Sequence, residues 1–409
     1  MRPWISSLAF AAGLALAAPG LAAPPSVVAA TMPDPALGSR LDKVVEAAIA
    51  EQRLVGAVVL VARDGKIVYR RAAGLADREA GRPMREDAIF RFSSVTKPFV
   101  SAAVMKLVED GKLDLDDPVT RWLPDFQPKL ADGSQPAITL RQLLNHTSGL
   151  TYGLAEPPSH PYHTLGVSDG IDLSGLSLDE NIRRLGRPPL AFPPGSAWRY
   201  SLAMDVLGLV VEKAAGKPLP EVVAATVTGP LDLADTGFLP RDPTRLTAAY
   251  FNARPSPKRM TDNLDVPIGP TAVRFAPSRA TDPTAFPSGG AGMVGTAGDV
   301  LIFLEALRQG GAPILKASTV AEMMKDQVGI QAATQGPGWG FGYGWAVLDG
   351  PAVAKTPQGS GTIAWGGVYG HNWFVDPKNR LTVVIMTNTA FEGMNGSFTT
   401  QVRDAVYAR

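Results

Sequence analysis

The chain has 409 residues, 45% of them hydrophobic and 19% charged; this balance excludes a disordered or fibrous protein and allows a deep core in about two domains of ~150 residues each. The 39 Lys and Arg against 38 Asp and Glu leave a net charge of +1, with no block of like charge, which argues against the concentrated basic surface of a nucleic-acid groove. Cysteine is absent and histidine is limited to His146, His160, His163 and His371, so disulfides, thiolate nucleophiles and Cys-ligated metal sites are excluded together.

Residues 1–23 carry Arg2, an apolar run from residue 4 to residue 18, and small residues ahead of Pro24-Pro25. A short positive start, an apolar segment below the ~20 residues of a spanning helix and a small-residue cleavage site predict a secretory signal peptide. The mature protein is therefore expected to be exported, periplasmic or secreted, and no later stretch approaches spanning length.

Residues 40–52 place Leu41, Val44, Val45, Ala48 and Ile49 on one helical face. Residues 57–61 and 67–69, joined by Asp64-Gly65, predict a β-hairpin. Near the other end, residues 344–348, 362–365, 373–375 and 381–386 read as short strands and 398–407 as a helix. Between them helical periodicity predominates, as at 140–144, 178–185 and 201–215, while residues 157–161 and 252–287 read as ordered surface loops. Strands at both ends and helices in the middle predict an α/β domain built from residues 24–112 and 289–409, with a mainly helical domain, residues 113–288, inserted.

Four segments could carry chemistry. Gly166-Val167-Ser168-Asp169-Gly170 matches a nucleophile elbow, but that device needs a strand before the serine and a helix after it. Neither flank provides one, and the segment reads as a loop turn. Ser94-Val95-Thr96-Lys97 opens an apolar helix over residues 94–109 that stops at Gly111. Ser94 and Lys97 then stack at i and i+3. Desolvation and the positive helix end both disfavour an ammonium there, which suits Lys97 to take the Ser94 proton; a Ser cap with a snorkelling Lys is the alternative. Tyr200 precedes the helix at 201–215, where a phenol is either a proton shuttle or a packing group. Trp365-Gly366-Gly367-Val368-Tyr369-Gly370-His371 ends a β segment in two glycines, which either let an edge strand offer its N–H groups to a substrate or simply form a turn. Asp114-Leu115-Asp116-Asp117 fails as a calcium loop because Pro118 and Val119 stand where a ligand and the turn glycine are needed.

Taken in order, these pieces resemble the serine β-lactamase and penicillin-binding-protein superfamily, and within it the class C-like esterases known as family VIII carboxylesterases. Besides Ser94 to Lys97, the resemblance rests on Leu143-Leu144-Asn145-His146-Thr147-Ser148-Gly149-Leu150, Trp198-Arg199-Tyr200-Ser201 with Asp205-Val206-Leu207-Gly208, Ser288-Gly289-Gly290-Ala291-Gly292-Met293, and the Trp365 to His371 box. It covers the chain from about residue 41 onward. It implies an antiparallel sheet flanked by helices, Ser94 as nucleophile, Lys97 and Tyr200 sharing the base, and an oxyanion hole from the backbone N–H groups of Ser94 and Val368. His146 would be structural, and neither metal nor organic cofactor would be needed. Trp365, Gly366 and Gly367 would line the substrate site. Trp365 stands where lactamases and peptidases carry a carboxylate-binding Lys, and Leu202 where they usually carry an amide-binding Asn. Both departures point toward a simple, small-molecule ester. The other expectations on this fold are a β-lactamase or a D,D-peptidase or D-aminopeptidase with the same machinery, and a non-catalytic protein binding a cell-wall ligand.

Overall fold

The computed structural model describes residues 28–29 and 35–408; residues 1–23, expected to be a signal peptide, lie outside them. The predicted hairpin is formed by Gly56–Arg63 and Lys66–Asp77. Asp64 and Gly65 both have positive φ (54° and 78°), the pair of left-handed residues that a tight two-residue hairpin turn demands. In a nine-stranded sheet the order runs Val28–Ala29, Lys66–Asp77, Gly56–Arg63, Leu381–Thr387, His371–Asp376, Thr362–Gly367, Ala346–Leu348 and Trp339–Phe341, with Arg82–Pro83 paired off the second strand. The two ends of the chain meet at its centre, where Val59 opposes Ile385 and Leu60 opposes Val384. Every pairing is antiparallel except that of Val28–Ala29.

All seven residues of Leu381–Thr387 are buried, so both faces of the sheet are covered, which is why these strands read as continuous apolar runs rather than alternating ones. The helices Pro35–Ala50 and Ser397–Tyr407 pack on each other, and Ala297–Arg308 lies over Leu381–Thr387 and Gly56–Arg63. Thr96–Glu109 is buried along almost its whole length and reaches Ala297–Arg308 through Phe99 and Phe303, stacked at 4.1 Å. Residues 113–288 supply the helices Leu140–Leu144, Leu178–Leu185 and Ala203–Ala215.

That stretch also contains strands the sequence pattern hides. Within the expected loop at 252–287, Leu264–Ile268 pairs with Thr271–Phe275. Buried Val266 faces buried Val273, and Arg274 clasps Asp265 across the exposed face at 2.8 Å. Pro267 disguises the first strand, and an isolated two-stranded ribbon has a free edge on which a proline costs no ladder bond.

A buried carboxylate in Ala297–Arg308 ties that helix to the sheet. Glu305 is fully buried, pairs with Arg308 at 2.7 Å and accepts a hydrogen bond from Thr382 on the central strand. Truncating one partner of a buried pair leaves an uncompensated charge and costs roughly 3 kcal/mol. Denaturant unfolding should show a loss of this size for Arg308→Ala, whereas Arg85→Ala, whose pair with Asp87 is exposed, should leave stability unchanged.

Candidate active site

The buried helix begins two residues later than the sequence suggests. Ser93–Val95 forms a single 3-10 turn and the α-helix runs Thr96–Glu109, with Pro98 in the first turn, where its missing N–H is no loss. Gly111, at φ 69°, follows its end. Ser93 itself has φ 49°, a left-handed conformation that costs a non-glycine residue about 1 kcal/mol. That bend sets Ser94 at the mouth of the turn with Lys97 one turn behind it.

Lys97 is fully buried, so it does not snorkel. Its Nζ donates to Ser94 Oγ at 3.2 Å and to the Gly290 carbonyl at 2.8 Å. The ammonium lies 4.6 Å from the Tyr200 ring centroid and 5.4 Å from that of Tyr152, within cation–π range of both. Tyr200 donates to Ser94 Oγ at 2.7 Å and accepts from Trp365 Nε1 at 3.3 Å. Its backbone is held from both sides: Arg199 N–H donates to the His146 carbonyl and Leu202 N–H to that of Thr151. Leu202 is fully buried in the core and presents nothing to a ligand.

No histidine hydrogen-bonds Ser94, Lys97 or Tyr200 among the described residues. His146 packs under Tyr200 with ring centroids 4.9 Å apart, and its Nδ1 meets Ser201 Oγ at 3.1 Å. Burial and then the Lys97 charge hold it well below the usual imidazole range. His371 is pushed down to about 4 by burial, with Nε2 on the Arg91 carbonyl at 2.7 Å. Both are neutral at pH 7.

Ser94, Tyr200, Trp365, Gly366 and Val368 line one cleft of about 450 Å³. Thr362–Gly367 is an interior strand, neither of the two alternatives, edge strand or turn, that its glycines allowed, but its neighbour Ala346–Leu348 pairs only as far as Ala364. Trp365 to Gly367 therefore run past the end of that pairing, toward the catalytic turn. Gly367 does not line the cleft; it packs on the turn, where an added Cβ would stand 2.3 Å from the Phe92 carbonyl. Neither the Ser94 nor the Val368 backbone N–H meets an acceptor among the described residues. Ser168 lies elsewhere, its hydroxyl bonded to Asp172 and to the Gly170 N–H.

Tyr152 escaped the sequence reading, and Asp205 entered it only as part of the Asp205 to Gly208 phrase, with no role assigned. Asp205 is fully buried in the first turn of Ala203–Ala215. Burial raises its pKa, while Ser288 and the Lys97 charge pull it back. The signal in the sequence was an acid in an otherwise apolar helix face. Gly290 is where these groups converge: a Cβ there would lie 2.7 Å from Asp205 Oδ2, 3.0 Å from the Tyr152 hydroxyl and 3.4 Å from Lys97 Nζ. No group of His, Asp or Glu side chains among the described residues is placed to hold a metal ion.

The beta-lactamase family model matches residues 41–407. The chain belongs to the beta-lactamase family. It is 58% identical to Esterase EstB of Burkholderia gladioli over 377 residues, 91% of this chain and 96% of that one. The solved structure of EstCE1, described as a hydrolase with promiscuous acyltransferase activity, superposes with a TM-score of 0.89 at 51% identity, covering 91% of this chain and 99% of that one. Simvastatin synthase of Aspergillus terreus shares the fold, at a TM-score of 0.70 and 22% identity over 90% of this chain and 97% of that one.

Displacing a catalytic group by ~1 Å can cost a hundredfold in rate. Gly290→Ala should therefore lower kcat on a carboxylic ester by roughly that factor while circular dichroism and the melting temperature show the chain still folded.

Proposed function

We propose that the protein is an exported serine carboxylesterase that cleaves short-chain esters through an acyl-enzyme on Ser94. The observation that carries the reading is the Ser94 hydroxyl held by both Lys97 and Tyr200 at a cleft whose lining, among the described residues, includes no Lys, Arg or His. In the state of the pair that has given up one proton, either a Tyr200 phenolate beside the Lys97 ammonium or a Tyr200 phenol beside the free Lys97 amine, Ser94 Oγ attacks the ester carbonyl as its proton passes to the pair. The tetrahedral oxyanion rests on the backbone N–H groups of Ser94 and Val368. Tyr200 returns the proton to the leaving alcohol; it then takes one from the water that attacks the acyl-enzyme, freeing the acid and Ser94. Kinship with Esterase EstB, and the EstCE1 description as a hydrolase, support this chemistry.

β-Lactamases and D,D-peptidases could share the machinery, but the indole of Trp365 occupies the place of their carboxylate-binding cation and is itself committed to Tyr200. Removing that cation weakens every ligand that relies on it. Export rests on residues 1–23 alone; no helix among the described residues is long and apolar enough to cross a membrane.

Ser94→Ala should abolish hydrolysis of p-nitrophenyl acetate and butyrate, while Ser168→Ala should keep most of the wild-type rate; activity surviving in Ser94→Ala overturns the assignment. A fluorophosphonate adduct mapped by mass spectrometry should sit on Ser94, and its absence would favour the binding-protein reading. Turnover of a chromogenic cephalosporin should fall far below that of the short esters, and the reverse order would make the protein a lactamase.

A further inference from the structure

The Gly166 to Gly170 segment, rejected as a nucleophile elbow, places Asp169 in the wall of the cleft that holds Ser94. We propose that Asp169 is a specificity-determining residue, its carboxylate selecting against acyl compounds that carry a negative charge and in favour of neutral or cationic ones. The inference rests on the ester-hydrolase reading and names the substrate class of that same site.

Asp169 is fixed by the backbone: Oδ1 accepts from the Gly153 N–H at 2.8 Å and Oδ2 from the Leu154 N–H at 2.7 Å. A side chain on Gly153 would crowd both oxygens, at 3.3 and 3.2 Å. Asp169 is the only Asp, Glu, Lys, Arg or His among the described residues lining the cleft. The remaining wall is mostly apolar or carries neutral amides and hydroxyls, such as Ile268, Val273, Met394, Asn372 and Asn395. Once ionised, Asp169 therefore acts on a bound ligand with no lining cation to offset it, and in a partly dehydrated cleft its charge reaches further than in water.

The groups that face Asp169 do not neutralise it. Asp172 on its own loop and Asp205 on the helix Ala203–Ala215 add negative charge, and Tyr152 and Tyr162 present phenols. Lys97 and Arg279 act on Asp205, and neither is among the residues lining the cleft. Burial pushes the Asp169 carboxyl up to about 7; its two backbone N–H donors pull the other way, and Asp172 and Asp205 push with burial. Below that pH the group is neutral and tolerates an anionic substrate. Above it the charge appears and repels one.

The test is a ratio of kcat/KM for matched anionic and neutral esters, in which any pH dependence common to both substrates cancels. One pair carries the charge on the leaving group, para-acetoxybenzoate against para-acetoxybenzamide; the other carries it on the acyl chain, the p-nitrophenyl monoester of adipic acid against p-nitrophenyl hexanoate. From about pH 6 to about pH 8.5 both substrate carboxylates stay ionised, so a roughly tenfold fall in the anionic-to-neutral ratio of at least one pair reports Asp169. In Asp169→Asn the ratio should be flat and at or above the wild-type value at low pH. A flat ratio for both pairs in the wild type, or a fall that persists in Asp169→Asn, overturns the proposal. The wild-type series needs no variant, so a folding defect in Asp169→Asn leaves it decisive. Turnover of the neutral esters, and its loss in Ser94→Ala, tests the esterase reading separately.

Discussion

A fully buried lysine with no carboxylate at salt-bridge distance among the described residues is the constraint around which the site is built. Removing an ammonium from water costs several kcal/mol unless the protein returns comparable interactions. Here they come from the Gly290 carbonyl, Ser94 Oγ and the faces of two tyrosine rings, with the Asp205 carboxylate acting at longer range. The Gly290 position must lack a side chain for that carbonyl, Asp205 and Tyr152 to approach together. The segment is pinned at its far end, where Met293 N–H donates to Thr96 Oγ1 and the Met293 carbonyl accepts from Phe92 N–H. The two ends of the catalytic turn are thus tied to the strip that compensates its lysine.

Trp365 changes the site twice. Its Nε1 donates to the Tyr200 hydroxyl, and its ring stands 5.1 Å from Tyr200 and 5.2 Å from Phe341. With His146 packed on both of those rings, the Tyr200 phenol is surrounded by aromatic neighbours and loses rotamer freedom before any ligand arrives. Trp365 also lines the cleft, where its indole adds no charge. One side chain thus both holds the Tyr200 hydroxyl and forms the wall beside it.

Much of this was legible because it is local. Ser94 and Lys97 stack through helix geometry that three intervening bonds of sequence already determine, and the boundaries of Leu140–Leu144 and Leu178–Leu185 follow from apolar spacing alone. Tyr200 was singled out at a helix start, but only resemblance gave it a partner, since 106 positions separate it from Ser94. Tyr152, Asp205 and the Gly290 carbonyl act through contacts that no periodicity encodes. The left-handed Ser93 was equally hidden, because serine carries no compositional mark of positive φ. The glycines of Thr362–Gly367 were compatible with either an edge or a turn, and what the sequence hides is that its outer neighbour, Ala346–Leu348, is only three residues long and leaves Trp365 to Gly367 without a partner on that side.

The Gly166 to Gly170 turn shows how little a motif fixes without its surroundings. Gly166 and Gly170 have φ of 62° and 78°, a bend that glycine adopts freely and that a nucleophile elbow would also require. What differs is what the bend meets. Ser168 is buried with its hydroxyl on Asp172, and Gly170 presses so close to Ser288 that an added Cβ would stand 2.4 Å from its Oγ. The serine is spent on holding the loop, and the side chain after it reaches the cleft. Ser288 opens the strip that carries Gly290, so the loop bearing Asp169 and the carbonyl holding Lys97 share one support. Charge at the cleft wall and placement of buried Lys97 are in this way set by a single packed seam.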